Sequence, residues 1–314
     1  MLKFSQIYCV IKTSELDRHR RLALSVDSIK RLTRFRQKQL IESHENQIRF
    51  IENVRAFTKR IGLNVEYLPE EEMERIKPGK EDLILCCGGD GTFLSCAQKY
   101  QESVLLGMNS DFKPKYGLGS HGALTSANRL NFNKRLECLK EGNFVVDKWK
   151  RLQAKVNGRL IERYAVNDIY FGQKISYETC DFHIRYLGQK QDFSCSGLLC
   201  CTGMGSHAWY YNAGGSSFSN ELDAFGFKVL FPNLKRILKF SSGVVSSRYE
   251  LIATPERNNC ILSYDSKPDV IETQLGDEIR ISLASNKPVR VVMFDDDGQF
   301  QKLPNTSGPF AIET

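Results

Sequence analysis

A chain of 314 residues, 41% hydrophobic and 26% charged, has the makeup of an ordinary soluble globular protein and is long enough for two domains or one large one. Its net charge of +7 suits an anionic ligand, and a diffusely basic surface explains it equally well. No run of 18 apolar residues occurs, which excludes a membrane-spanning helix, and neither a membrane nor a nucleic-acid partner is expected.

Residues 4–12 read as a strand. The opening MLKFSQIYCVIK lacks the long apolar core and small-residue cleavage site of a signal peptide, so a cytoplasmic location is expected. The Arg-rich stretch from Arg18 to Arg36 is read as a folded helical region. Ile48, Ile51, Val54, Phe57 and Ile61 recur at helical spacing and predict a helix over 43–61, with Gly62 as its stop. NVEYL (64–68) reads as a strand, PEEEMERI as a short helix, DLILCC (82–87) as a buried strand, 92–100 as a helix and 103–109 as the next strand. This alternation argues for a parallel sheet covered by helices.

After about residue 145 the rhythm changes. RLQAKVNGRL, RYAVNDIYFG, DFHIRYLG, SGLLCCTG, YELIATP, CILSYD and DEIRISLA are strand-like segments punctuated by Gly, Asn, Asp and Pro, the pattern of a second, mainly β domain. The ten cysteines lie inside apolar segments, two pairs (Cys86-Cys87 and Cys200-Cys201) are sequence neighbours, and no CxxC occurs. Adjacent residues of a strand point to opposite faces, so reduced, buried thiols are expected, with no zinc site among them.

Gly88-Gly89-Asp90-Gly91-Thr92 separates the 82–87 strand from the helix that follows. Glycines at a strand-to-helix turn let a phosphate approach the main chain beside the positive end of the helix dipole. Thr92 can cap the helix or donate to an anion. Asp90 has two readings: a helix N-cap, or a functional carboxylate that takes a proton from a hydroxyl attacking a phosphoryl group or helps hold Mg²⁺. Gly117–Gly122 formally fits GxGxxG but follows DFKPKY rather than a strand, and no GxxxxGK[ST] occurs. SGLLCCTGMGSHAWYYNAGG (196–215) is either a β-domain turn beside packed aromatics or a nucleotide cradle. In the second reading Trp209 stacks on a base and Ser206 donates to phosphate or ribose. Asp295-Asp296-Asp297-Gly298 reads as a solvated turn, and no protein metal site is assigned.

GGDGT after a strand, VND (166–168) and TGMGSHAW…NAGG occur in the order seen in NAD kinases, which this chain resembles from about residue 4 to 294. It is similar, more narrowly, to the mitochondrial-type branch with its prokaryotic relatives, through CSGLLCCTGMGSHAW and GMNSD (107–111). The resemblance implies an α/β N-terminal domain with a parallel sheet, as in NAD and diacylglycerol kinases, over 1–125, with 295–314 packing back on it. A β-rich, sandwich-like NAD-binding domain over 126–294 follows. It further implies a homodimer, ATP and Mg²⁺ as donor and cofactor, and phosphorylation of the adenosine ribose 2′-hydroxyl of NAD. A kinase for a lipid or sugar hydroxyl is the alternative. Asp90 would be the catalytic carboxylate, with Gly88, Gly89, Gly91 and Thr92 at the ATP phosphates. Asn109, Asn167, Asp168, Ser206, His207, Ala208 and Trp209 would hold NAD. Gly203, Met204, His207, Ser196 and the YDSKPD segment (264–269) depart from the family's usual residues.

Overall fold

The computed structural model describes residues 4–21, 29–112, 122–175, 177–235, 237–257 and 259–294. The chain forms two compact units: residues 1–147 joined by the chain from Arg290 onward, and Lys148–Val289 between them.

The first unit runs β1 (Ile7–Ile11), α1 (Glu15–Arg21), α2 (Arg34–Arg60), β2 (Glu66–Pro69), a 3-10 turn (Glu70–Arg75), β3 (Leu83–Gly88), α3 (Asp90–Lys99), β4 (Val104–Asn109), β5 (Ala127–Asn128), α4 (Phe132–Glu141) and β6 (Val145–Trp149). The last described strand, Val289–Met293, returns to this sheet and lies between β4 and β6 in the order β2-β1-β3-β4-(289–293)-β6, with β5 also beside β4. β1 to β4 pair in parallel, and every residue of β3 and β4 is buried, as expected of central strands covered on both faces.

α2 begins at Arg34, well before the expected residue 43. Its early turns lack apolar periodicity, but the Thr33 hydroxyl caps it by accepting from the Arg36 amide at 3.2 Å. Leu40, Phe50, Val54 and Phe57 form its buried stripe. Phe50, Val54 and Phe57 pack with Leu83, Leu85, Val104, Leu106 and Met108 of the sheet and Phe132, Leu136 and Leu139 of α4.

That last group moves the division between units to Asp147/Lys148 from the expected 125/126. Phe132, Leu136 and Leu139 recur at helical spacing, and Gly142 ends α4 at φ 83, a left-handed conformation that glycine adopts without steric penalty. The helix buries this stripe in the core of the first sheet. Phe294 joins the same core, with the Arg135 guanidinium 4.5 Å from its ring centroid. Phe310 and the Asp295–Asp297 run lie outside the described residues, as do residues 117–121 of the formal GxGxxG.

The second unit contains β7 (Leu152–Val156), β8 (Arg159–Leu160), β9 (Asp168–Gly172), β10 (Cys180–Tyr186), β11 (Gln189–Cys195), β12 (Gly197–Cys201), α5 (Trp209–Asn212), β13 (Ala224–Leu230), β14 (Ser242–Ser246), β15 (Leu251–Pro255), β16 (Ile261–Tyr264), β17 (Ile271–Glu272) and β18 (Ile279–Leu283). They make two six-stranded sheets, β11-β10-β15-β18-β7-β8 and β14-β13-β12-β9-β16-β17. One core draws Phe182, Phe193, Ile184 and Ile281 from the first and Phe171, Leu198, Phe225 and Phe227 from the second, which makes the unit a sandwich. All ten cysteines are free thiols and nine are buried, as the apolar surroundings of each in the sequence imply.

Candidate active site

In the first unit the predicted phosphate loop lies at the carboxyl end of the central parallel strands, where ligands of open α/β sheets bind. Its glycines have different tasks. A Cβ on Gly88 would fall 2.3 Å from the Thr92 hydroxyl oxygen and 2.9 Å from the Lys12 Cβ, so Gly88 lets the first turn of α3 close against the strand end. Gly89 precedes the helix, and its carbonyl accepts from the Thr92 and Phe93 amides at 3.1 and 3.2 Å. Gly91 is exposed and a Cβ there would meet nothing within 4 Å. Thr92 is only 3% exposed, so its side chain braces the loop from inside rather than standing ready for an anion.

Asp90 is the first residue of α3, but it is not the N-cap: Gly89 is, and no side chain caps the helix. Instead the half-buried Asp90 carboxylate reaches across to residues 122–125. The Leu124 amide donates to Oδ1 at 2.9 Å and the Ala123 amide to Oδ2 at 3.2 Å. Asn109, at the end of β4 and 1% exposed, supports the same segment. Its Oδ1 accepts from the Asp111 amide at 3.1 Å, and its amide nitrogen lies 2.7 Å from where a Gly122 Cβ would be. Gly122 has φ +69, which favours glycine on its own account. Asp90, Asn109 and the 122–125 segment therefore form one cluster beside the glycine loop.

The second unit gathers the other predicted residues around the start of β9. The Asp265 carboxylate accepts three backbone amides in a row: Val166 at 3.0 Å, Asn167 at 2.7 Å and Asp168 at 3.2 Å. Thr202, just past the end of β12, holds the same turn, its hydroxyl donating to the Val166 carbonyl at 2.5 Å and its amide to the Asn167 carbonyl at 2.9 Å. Gly205 rests on this turn so closely that a Cβ would fall 1.9 Å from the Asn167 carbonyl oxygen. Asn167 Oδ1, Asp168 Oδ1 and His207 Nδ1 are buried without a hydrogen-bond partner among the described residues. Buried polar atoms are rarely left so, and these are ligand-facing candidates. Burial lowers the His207 pKa, so its imidazole is neutral.

One assignment changes. Ser206 is 0% exposed: its hydroxyl accepts from the Phe218 amide at 3.0 Å and faces the Gly203 and Phe218 carbonyls at 2.7 and 3.1 Å. Its donor capacity is used inside the fold, so the expected donation to phosphate or ribose is replaced by a structural role. Trp209 is not core; it is 38% exposed and stacks on Tyr170, with centroids 5.4 Å apart and rings at 29°. Tyr170 is fixed at its hydroxyl by the Gln173 and Ser196 carbonyls at 2.8 and 2.7 Å. Ala208, half-buried, links the 3-10 turn Gly205–His207 to α5, its amide donating to the Gly205 carbonyl at 3.0 Å.

Asp265, Thr202 and Tyr170 were not picked out as site residues in the sequence. Only Asp265 had a local signal. Asp265 and Ser266 have φ 52 and 56, and the Lys267 amide donates to the Tyr264 carbonyl at 3.1 Å, the geometry of a tight hairpin turn. Such turns usually carry Asn-Gly or Asp-Gly, so the Asp-Ser pair in YDSKPD makes the turn without the glycine.

A family profile described as the ATP-NAD kinase C-terminal domain matches residues 140–294. The NAD kinase of Clostridium beijerinckii is 26% identical over 262 residues, covering 80% of this chain and 87% of that protein. The NAD kinase of Clostridium kluyveri is 28% identical over 265 residues, covering 82% and 85%. Among solved structures, the fold is similar to that of an NAD kinase from Archaeoglobus fulgidus in complex with ATP, with TM-score 0.62, 20% identity and coverage of 95% and 97%. It is also similar to that of yeast NADH kinase complexed with NADH, with TM-score 0.66, 18% identity and coverage of 98% and 90%.

Proposed function

The chain belongs to the NAD kinase family, and from that premise we propose that it transfers the terminal phosphoryl group of ATP to the adenosine ribose 2′-hydroxyl of NAD, giving NADP. The observation that carries this reading is Asp90: a carboxylate at the head of a helix, after a glycine-rich strand end, tied to two amides of a neighbouring loop. In the proposed reaction it accepts the proton of the 2′-hydroxyl as that oxygen bonds to the γ-phosphorus and the bond to the β-phosphate oxygen breaks, releasing ADP. The backbone of Gly88, Gly89 and Gly91 would receive the phosphates, with Thr92 bracing the loop from inside. Asn109, Asn167, Asp168, His207 and Ala208 would orient the dinucleotide.

The residues fit an ATP-borne Mg²⁺. This ion prefers phosphate oxygens and water with only one or two carboxylates, and each Asp90 oxygen keeps a lone pair beyond the one its amide occupies. Asp90 would hold the ion, which supplies neutralisation of phosphate charge. Incubating the purified protein with Mg-ATP and NAD, NADH, diacylglycerol or sugars tests the reading. NADP formation is expected; a phosphorylated lipid or sugar without NADP would replace it with the other-hydroxyl kinase.

Trp209 would stack its exposed side on adenine while Tyr170 backs the ring. Stacking on a base is worth about 1–3 kcal/mol in nucleic-acid-binding proteins, so Trp209→Ala should weaken NAD binding about 5- to 150-fold and spare ATP. Isothermal titration with each ligand reads this directly; equal losses for both, with a lowered melting temperature, would assign Trp209 to packing alone. The proposal extends to a homodimer, as the resemblance implies, and light scattering at micromolar concentration should give twice the chain mass. A cytoplasmic location accords with ten free thiols. Among the described residues no helix is long and apolar enough to cross a membrane.

A further inference from the structure

Two carboxylates, Asp168 and Asp265, are buried together in the second unit, 3% and 5% exposed. Their surroundings differ. Asp265 accepts the amides of Val166, Asn167 and Asp168, whereas Asp168 Oδ1 is buried with no hydrogen-bond partner among the described residues. Hydrogen bonds to a carboxylate favour its ionised form, burial without them opposes it, and a neighbouring negative charge opposes it further. Of the pair, Asp265 is built to carry the charge and Asp168 to keep the proton.

Among the described residues the charge that acts on Asp168 is that of Asp265; Arg163 acts on Tyr264 instead, and Lys267 lies two residues past Asp265 in the same turn. Cys201 lies opposite it on β12 with Cys200 beside it, and burial raises both thiols so that they stay protonated. β16 and its turn bring Tyr264, whose phenol burial also raises, and Asp265 itself. The 3-10 turn on Asn167 carries His207, neutral for the reason given above.

Resting on the kinase reading, we propose that Asp168 meets the dinucleotide as a neutral carboxylic acid, donating a hydrogen bond to an acceptor oxygen of the substrate, with Asp265 as the positioning residue that fixes this state. A second buried anion would repel a dinucleotide whose pyrophosphate is already negative; a neutral acid can approach any of its hydroxyl, carbonyl or phosphate oxygens. Burial, and after it the charge of Asp265, raises the Asp168 pKa to about 8, which places the loss of the donor just above neutrality. In Asp265→Asn the neighbouring charge is gone and Asp168 ionises at lower pH.

Infrared spectroscopy of the whole protein tests the proton without any ligand. At about pH 7 the difference between wild type and Asp168→Asn should show the carbonyl stretch of a protonated acid. The band should fade in wild type as pH passes about 8, and earlier in Asp265→Asn. Titration with NAD should show affinity falling by up to about tenfold per pH unit above that point, while ATP affinity does not follow. A missing acid band at about pH 7, or NAD affinity flat from about pH 6 to about 9.5, would overturn the proposal. NAD binding at no pH while the band is present would instead sink the kinase reading and leave the protonation standing.

Discussion

Replacing Asp90 with Asn is expected to lower kcat by about 10²–10⁴-fold while ATP affinity changes much less. Asn keeps the size of the side chain and removes the base. The glycine backbone and the inward Thr92, which shape the phosphate loop, are untouched by the change. A structural cost accompanies the chemical one. The Leu124 and Ala123 amides now donate one to each carboxylate oxygen, and an Asn offers only one acceptor atom. Stability should fall by about 1–3 kcal/mol, toward the low end because Asp90 is partly exposed. Measuring kcat and melting temperature on the same variant separates the two effects. A lowered melting temperature with kcat within threefold of wild type would reduce Asp90 to a loop anchor and remove the proposed base.

The largest expected loss of stability comes from Asp265→Ala. Three amides, two of them on buried residues, would lose a charged acceptor together. An unsatisfied buried donor costs about 1–3 kcal/mol, so even with water reaching part of the site the total should be on the order of 3–5 kcal/mol. Alanine is also a poor occupant of φ 52. Asp265→Asn should cost clearly less, because its carbonyl still accepts and Asn tolerates the left-handed region. Denaturant midpoints of the two variants give the comparison. Equal, small shifts for both would mean that the β9 turn holds itself without this carboxylate.

These two aspartates show which parts of the site could be read from the sequence. Asp90 sits in a contiguous pattern: a buried strand, glycines, then a helix whose buried Phe93, Leu94, Cys96 and Ala97 face the sheet. Local spacing and local chemistry specify such a turn, and they placed its glycines correctly. They did not reveal that Asp90 reaches a loop 33 and 34 residues on instead of capping its own helix. Asp265 acts on amides 97 to 99 residues earlier, a relation made by the pairing of β16 with β9. No periodicity encodes it. Ser206 erred in the other direction: a hydroxyl in a Gly-Met-Gly-Ser turn looks available in the sequence, and only the return of Phe218 over it shows that it is not.

At fold level, β3, β4 and the alternating strands of the second unit were legible because each presents a continuous apolar run or a period of two. α4 carried its signal at Phe132, Leu136 and Leu139, but a ten-residue helix next to a change of rhythm was absorbed into the β-rich region. β11 escaped because Gln189, Lys190 and Asp192 make its sequence polar, as befits an edge strand.

The return of Val289–Met293 to a place between β4 and β6 sets an order on biosynthesis. When residues 1–147 have left the ribosome, the flank of β4 that this strand will occupy is still an unpaired edge. At about 5–20 residues per second, the missing strand is made on the order of ten seconds later. During that interval the nascent unit exposes backbone donors and acceptors that invite pairing with another chain. The Lys148–Val289 sandwich, contiguous in the chain, needs no such wait. A gene ended after Asp147 should therefore yield aggregate, whereas one that bypasses the sandwich with a short linker and keeps residues 290–314 should recover folded material.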